Sequence, residues 1–171
     1  MNNNKYYGKK AEFIPIREDR TRIIVSYGME SVNDTHCTWY EVYFQKSEVP
    51  MPSKEQIKSA IIEDIDAHTD EKILSGFVWN GTNVWLSAEN QRNFSEADRK
   101  AESNPDILPI MFKIGEDGGK NPVYHVFETF EELDGFYMQA FAYIQQCLNE
   151  GWRQKDSIDW SLYGFDAEGS I

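Results

Sequence analysis

The stretch Thr129–Trp152, TFEELDGFYMQAFAYIQQCLNEGW, decides the fold. Apolar residues recur in it at spacings of three and four, the pattern of one broad face of an α-helix. This predicted face comprises Leu133, Phe136, Tyr137, Ala140, Phe141, Ile144, Cys147 and Leu148. Thr129 and Glu132 form a T-x-x-E capping box that marks the helix start, and Gly151 is a typical residue for its end. We expect the rest of the chain to pack on this helix, because it can bury more apolar surface than any other segment.

The composition favours a folded, acidic protein. Of the 171 residues, 40% are hydrophobic and 14% are aromatic, which is enough for a core and argues against disorder. The formal net charge of -12 would repel phosphate backbones, so we expect no binding to nucleic acid. An acidic surface instead favours solubility or docking to a basic partner surface.

The hydropathy pattern predicts no signal peptide and no membrane span. The N-terminus MNNNKYYGKK lacks the apolar core of a signal peptide, and no apolar run approaches the ~20 residues that span a bilayer. We therefore expect a soluble protein that is made in a cytoplasm and does not contact a membrane. Cys147 lies on the apolar face of the long helix, which favours a buried free thiol, although a disulfide with Cys37 stays open.

The N-terminal part reads as a set of short β-strands. Residues 1–10 are polar and are expected to be loose. Strands are predicted over Glu12–Ile16, Arg22–Tyr27 and Thr38–Gln45, which are rich in β-branched and aromatic residues. In the third strand, the alternation favours Tyr40, Val42 and Phe44 facing the core.

The C-terminal part reads as helices alternating with hairpins. Ser53 and Gln56 form a capping box that opens a helix with a stripe of Ile57, Ala60, Ile61 and Ile65. Asn80-Gly81 between apolar runs predicts a type I′ hairpin, with Trp79 opposite Thr82 and Phe77 opposite Val84. A thinly buried helix over Ala88–Ser103 and a second hairpin, with strands over 108–114 and 123–127, precede the long helix.

These elements predict an α+β fold. Small antiparallel hairpins or sheets would pack against the long C-terminal helix and two shorter helices. The predicted domains are a β-rich N-terminal module over residues 1–50, a helix–hairpin–helix–hairpin–helix domain over 51–160, and an extended acidic tail over 161–171.

No motif in the chain carries recognisable catalytic or metal-binding chemistry. G-x-S-x-G and H-E-x-x-H do not occur, and GEDGGKNP lacks the residue order of a phosphate loop. His36-Cys37 has no further ligand at zinc spacing. Asp64, Asp66 and His68 fall near a helix end, where alternate positions do not share a face, and His125 reads as an outward strand residue. We therefore predict no enzymatic activity, no cofactor and no metal.

The aromatic residues are the feature that exceeds background. Five tryptophans and nine tyrosines could line an interface or a sugar-binding groove. Packing within the fold is favoured for Trp79 and Trp152, because aromatic pairs stabilise small sheets. The candidates for contact with a partner are Trp85, Trp160, Tyr163 and Phe165.

The segment from Ile73 to Ile158 resembles a domain family of unknown function that is encoded in bacteriophage and prophage tail-fibre regions. The matching stretches are GFVWNGTNVWLSAENQRNF, the FKI…VYHVF hairpin, and TFEELDGFYMQAFAYIQQCLNEGWRQKDSI. The resemblance implies a virion or tail-assembly protein without catalytic residues. It covers about half of the chain and leaves the N-terminal strands as the part that attaches to other virion proteins.

The expected function is therefore that of a phage virion structural component, associated with the tail or tail fibre. It would act through contacts with other virion and tail proteins, as a homo-oligomer or a bound subunit. One alternative is a tail-fibre assembly chaperone that is absent from the mature particle. The other is a carbohydrate-binding module or a glycan hydrolase that uses exposed Trp and acidic residues.

Overall fold

The computed structural model describes residues 4–118 and 120–165. The α+β class is confirmed, with antiparallel sheets and three helices in these ranges. The strands are β1 Lys5–Lys9, β2 Ile16–Glu18, β3 Arg22–Ser31, β4 His36–Gln45, β5 Phe77–Trp79, β6 Thr82–Val84, β7 Ile110–Glu116 and β8 Pro122–Phe127. The helices are α1 Lys54–Ser75, α2 Ala88–Ser103 and α3 Phe130–Asp156. Each of these helices is too short or too polar to cross a lipid bilayer.

The chain divides into two compact units. Unit 1 takes in Met1–Asp66 and Trp152–Ile171, and unit 2 is Ala67–Gly151. Helices α1 and α3 each run through a boundary between the units. The domain division at residues 50 and 160 that the sequence suggested stays a prediction.

Unit 1 is an antiparallel sheet in the order β1-β4-β3-β2. One side of the sheet packs on the isoleucine stripe of α1 and on the C-terminal turn, because these surfaces exclude water together. Tyr40, Val42 and Phe44 lie on this side, as expected. The buried members of the cluster are Val25, Tyr27, Ile57, Ile61, Ile65, Ile158, Tyr163 and Phe165.

Two expectations for unit 1 were wrong. Residues 5–9 are not loose but form the strand β1, which pairs with β4 so that Tyr6 lies opposite Trp39. The predicted strand over 12–16 is shifted towards the C-terminus, since Lys10–Glu12 form a 3-10 helix and β2 begins only at Ile16. Local composition misleads in both places, because pairing with a neighbouring strand supplies the backbone hydrogen bonds that decide the strand, β4 for β1 and β3 for β2.

Unit 2 packs both hairpins and α2 against α3. The type I′ turn is confirmed, with φ of 47° at Asn80 and 78° at Gly81, and Phe77 pairs with Val84 as predicted. Phe136 of α3 sits at the centre, with its ring centroid 4.9 Å from that of Phe94 and 5.0 Å from that of Trp79. The core is therefore built from aromatic rings in edge-on and tilted contact.

Helix α3 begins where predicted and ends later. The Glu132 N–H donates to Thr129 Oγ1 over 3.3 Å, which confirms the cap. Gly151 does not end the helix but lies buried within it. A Cβ atom at this position would come within 2.5 Å of Thr69 Oγ1 on α1. The glycine therefore permits a close approach between the two helices inside unit 2.

The end of the described chain folds back on its own unit. Trp160–Tyr163 form a 3-10 turn, and not the extended tail that composition suggested. The Tyr163 hydroxyl donates to the Ser26 carbonyl over 2.7 Å, which pins the turn to β3. The rest of the predicted acidic tail, residues 166–171, lies outside the described residues.

Candidate functional site

The four predicted contact residues divide between core and surface. Trp85 is 49% exposed and follows β6, where its N–H donates to the Ile114 carbonyl over 3.2 Å. Tyr163 and Phe165 are only 5% and 6% exposed, because they pack in the core of unit 1. A buried ring offers a partner almost no area, so packing of these two residues within unit 1 is favoured over contact with a partner.

Trp160 lies beside the two buried rings. Its ring centroid is 6.1 Å from that of Tyr163 and 5.9 Å from that of Phe165, and Lys58 Nζ lies 5.3 Å from it. Trp160 is half-buried and completes the packing of the C-terminal turn on α1. A contact between Trp160 or Trp85 and a partner stays a prediction.

Two other tryptophans were assigned to packing, with opposite outcomes. Trp79 is buried among Phe127, Phe136 and His125, as predicted. Trp152 is 52% exposed on α3, so its assignment to the core was wrong. The helix α3 continues past Gly151 and leaves the Trp152 ring on its exposed side.

An open groove lies between α2 and α3 in unit 2 and has a volume of about 340 Å³. Leu86 and Ala88 line it at the start of α2, and Phe94 forms part of its floor. Helix α2 adds Gln91, Arg92 and Ser95, and α3 adds Tyr137, Ala140, Phe141 and Ile144. This volume is in the range of ligand pockets, and the lining is mostly apolar.

The groove exists because α2 presents small and polar side chains to α3. Ala88, Ser95 and Ala140 line the groove with short side chains, which fill little of its space. Phe141 was predicted to be buried, yet it is 46% exposed at the groove, with its ring 6.4 Å from that of Tyr137. An aromatic ring left open to solvent beside a concavity is a typical anchor for a bound apolar group.

The charge at the groove comes from Arg92. Its exposed guanidinium has no hydrogen bond or ion pair to any residue within 4–118 and 120–165. The amide N–H₂ of the neighbouring Gln91 already donates a hydrogen bond to the Leu86 carbonyl over 2.6 Å. The groove can therefore hold an apolar group, with a free cation beside it for an anion.

A second polar cluster surrounds Glu41 on the far side of the unit 1 sheet. Glu41 is 2% exposed and is the one charged residue among the buried residues described. Its Oε1 accepts from Arg17 Nη2 at 2.8 Å and from Trp39 Nε1 at 2.9 Å, and Oε2 accepts from the Tyr43 hydroxyl at 3.0 Å. The sequence reasoning passed over this residue, because alternation alone assigned it to solvent.

The electrostatics of the cluster point to a structural role. Partial burial, followed by hydrogen bonds to Tyr6 and Glu41, raises the pKa of Tyr43 above its ordinary value. Both carboxylate oxygens of Glu41 are occupied by donors from the strands. The carboxylate therefore links side chains of β2 and β4, and both of its oxygens accept hydrogen bonds from within the sheet.

The histidines and acids that the sequence analysis weighed are spread over the molecule. His125 was predicted to point outward, but it lies on the inner side of β8, with its ring 4.7 Å from Trp79 and Nε2 2.8 Å from Glu132 Oε1. Asp64 accepts from the Tyr27 hydroxyl over 2.5 Å, and Asp66 pairs with Lys155. Within the part of the chain that the structure describes, no three His, Cys, Asp or Glu residues group to hold a metal.

Comparison with known families gives one match. The family model described as a domain of unknown function, DUF4376, matches residues 56–168, which is more than half of the chain. The chain belongs to this family. The DUF4376 match takes in the groove and nearly all of α1, and the strands β1–β4 precede it. No curated protein and no solved structure matches the chain.

Proposed function

We propose that this DUF4376 protein is a structural component of a bacteriophage virion, associated with the tail or tail fibre, that acts by binding other proteins. The observation that carries the proposal is the apolar surface of unit 2. Phe141 is open at the groove, and the outward sides of the hairpins expose Val78, Met111 and Tyr124. Exposed apolar and aromatic side chains are the groups that protein-binding surfaces bury.

The groove supplies a specific docking point within this surface. It offers an apolar floor, the Phe141 ring and the free Arg92 guanidinium. An apolar side chain next to a carboxylate on a neighbouring tail protein would fill the groove and pair with Arg92. The phage setting rests on the resemblance of residues 73–158 to a family from tail-fibre regions.

The proposal is tested by mass spectrometry of particles and assembly intermediates from the phage or prophage that encodes the chain. We expect peptides of the chain in purified particles. Presence in the lysate and in intermediates, but not in particles, would replace the proposal with the assembly-chaperone alternative. Absence from both particles and intermediates would contradict it, and a positive glycan array would then favour the carbohydrate-binding alternative.

A matched pair of variants tests the groove itself. Phe141→Ser removes the open ring, whereas Met138→Ser removes an equally exposed apolar side chain that does not line the groove. We expect Phe141→Ser to reduce incorporation into particles about tenfold, the loss typical of one anchor residue, and Met138→Ser to leave it unchanged. Equal incorporation of both variants would contradict docking through the groove.

A further inference from the structure

The strand β1 is an edge of the unit 1 sheet, with its inner side fixed by β4. The Glu41 N–H donates to the Asn4 carbonyl over 3.2 Å, and the Lys10 N–H donates to the Thr35 carbonyl over 2.9 Å. Hydrogen-bonded and non-bonded pairs alternate along an antiparallel ladder. The backbone groups of Tyr6 and Gly8 therefore face β4, and those of Lys5, Tyr7 and Lys9 face away from it.

Most of the outward groups on this edge are unpaired. Glu12 Oε2 accepts from the Lys9 N–H over 2.8 Å and so closes one end of the edge. The backbone N–H and C=O groups of Lys5 and Tyr7 have no hydrogen-bond partner among the described residues. An edge of this kind is a template for an added strand.

The charge of the edge is opposite to that of the molecule. Lys5, Lys9 and Lys10 fall in a stretch that contains no acidic residue before Glu12, although the whole chain has a net charge of -12. Lys5 Nζ lies 3.5 Å from Glu30, an exposed and loose contact, while Lys9 and Lys10 form no ion pair with a described residue. The lysines therefore attract an acidic segment.

The side chains of β1 define a pattern for that segment. Lys5, Tyr7 and Lys9 alternate along the strand and project from the same side of the sheet. Tyr7 is 63% exposed and stacks on His36 with ring centroids 5.3 Å apart. A complementary strand would place an acidic residue opposite each lysine and an apolar residue opposite Tyr7.

We propose that the β1 edge binds an acidic, extended segment of a partner protein as a fifth strand of this sheet. The segment alternates acid, apolar and acid residues on the side that faces Lys5, Tyr7 and Lys9. A second β1 strand is disfavoured as the occupant, since antiparallel pairing about Tyr7 would set Lys5 of one copy against Lys9 of the other. This binding site is independent of the groove and of the proposed virion role.

The probe is a fluorescein-labelled peptide, Thr-Glu-Thr-Val-Thr-Glu-Thr, titrated with the full-length protein at low salt. We expect saturable binding in fluorescence anisotropy, and none for the same peptide with Lys in place of Glu. Amide exchange measured by NMR should slow at Lys5 and Tyr7 on binding. The Tyr6 amide is an internal control, because it already faces β4.

Two variants separate the backbone from the charge. Tyr7→Pro removes an outward N–H of the edge and should weaken binding. It keeps the hydrogen bonds to β4, because proline is tolerated at edge positions. Lys5→Glu with Lys9→Glu reverses the charge and should weaken binding about tenfold or more. Lys100→Glu with Lys113→Glu is the control with the same net charge, on exposed lysines of unit 2, and should weaken binding much less.

Several results would contradict the proposal that β1 binds an added strand. Equal binding of the lysine peptide would remove the charge argument. Unchanged affinity in both edge variants, or no slowing of exchange at Lys5 and Tyr7, would place the peptide elsewhere. Should Tyr7→Pro fail to fold, the double lysine variant and the amide exchange of the unmodified protein decide the question alone.

Discussion

The side chain of Glu41 shows how one carboxylate can hold a sheet together. We expect Glu41→Gln to lower the free energy of unfolding by about 1–3 kcal/mol. Trp39, Arg17 and Tyr43 all donate to the carboxylate, and the NH₂ group of a glutamine would be a donor that faces other donors. Urea titration followed by circular dichroism measures the change.

The control for this substitution is Glu18→Gln. Glu18 is 69% exposed and pairs with Lys46, so its neutralisation should cost less than about 1 kcal/mol. A loss as large as that of Glu41→Gln would show that burial and the shared donors of Glu41 do not matter.

Asp98 on α2 destabilises the folded state at neutral pH, whereas Glu41 stabilises it. Burial, then the charges of Asp134 and Glu102, raise the pKa of the Asp98 carboxyl above its ordinary value of 3.8. The folded state therefore holds this proton more tightly than the unfolded state. The free energy of unfolding therefore falls as the pH rises from 3.8 through the pKa that Asp98 has in the folded state.

Asp98→Asn should accordingly stabilise the protein at pH 7, by no more than about 1 kcal/mol because the side chain is partly solvated. The advantage should shrink and disappear as the pH falls below 3.8. Melting temperatures of both proteins from pH 3 to pH 8 measure the difference. A constant difference across this range would mean that the carboxyl does not titrate between the two states.

At the scale of the element, two glycines of α3 form a matched test of helix packing. Gly151→Ala should destabilise the protein even though alanine favours helices, because the new Cβ meets Thr69 Oγ1 at 2.5 Å. Gly135→Ala meets no atom within 4 Å and should stabilise by up to about 1 kcal/mol. Chemical denaturation of both variants measures the contrast.

A double variant identifies the cause of the Gly151 effect. Adding Thr69→Ala removes the crowded hydroxyl and should recover part of the stability that Gly151→Ala loses, so the two changes should be strongly non-additive. Additive losses, or stabilisation by Gly151→Ala alone, would refute close approach as the reason for glycine there.

Elements with local signals were predictable from the sequence. The Asn80-Gly81 hairpin, the caps at Ser53 and Thr129, and the bounds of α2 are set by residues a few positions apart. Such signals act through turn geometry and capping hydrogen bonds that need no distant partner. Their register then paired Phe77 with Val84 and Trp79 with Thr82 correctly.

Features that depend on distant residues were not predictable. The strand β1 forms because β4 lies beside it, and position 151 within α3 is a glycine because Thr69 of α1 leaves no room for a Cβ atom. Glu41 is buried because its donors come from three strands. In the groove, Phe141 followed the apolar period of α3 but stays open, since the facing side chains of α2 are small.

At the scale of the whole molecule, the two units are not separable segments of the chain. Helices α1 and α3 each contribute residues to both units. Excising Ala67–Gly151 would therefore cut two helices and expose their apolar faces. The family match begins at residue 56, near the start of α1, so it retains almost all of this helix and the whole of α3.

The two cysteines are free and buried, Cys37 in unit 1 and Cys147 in unit 2. A thiol shielded in this way reacts with an alkylating dye only when the surrounding structure opens. The labelling rate of each cysteine therefore reports how often the structure around it opens. Labelling kinetics resolved by peptide mapping can compare these openings without introducing any foreign residue.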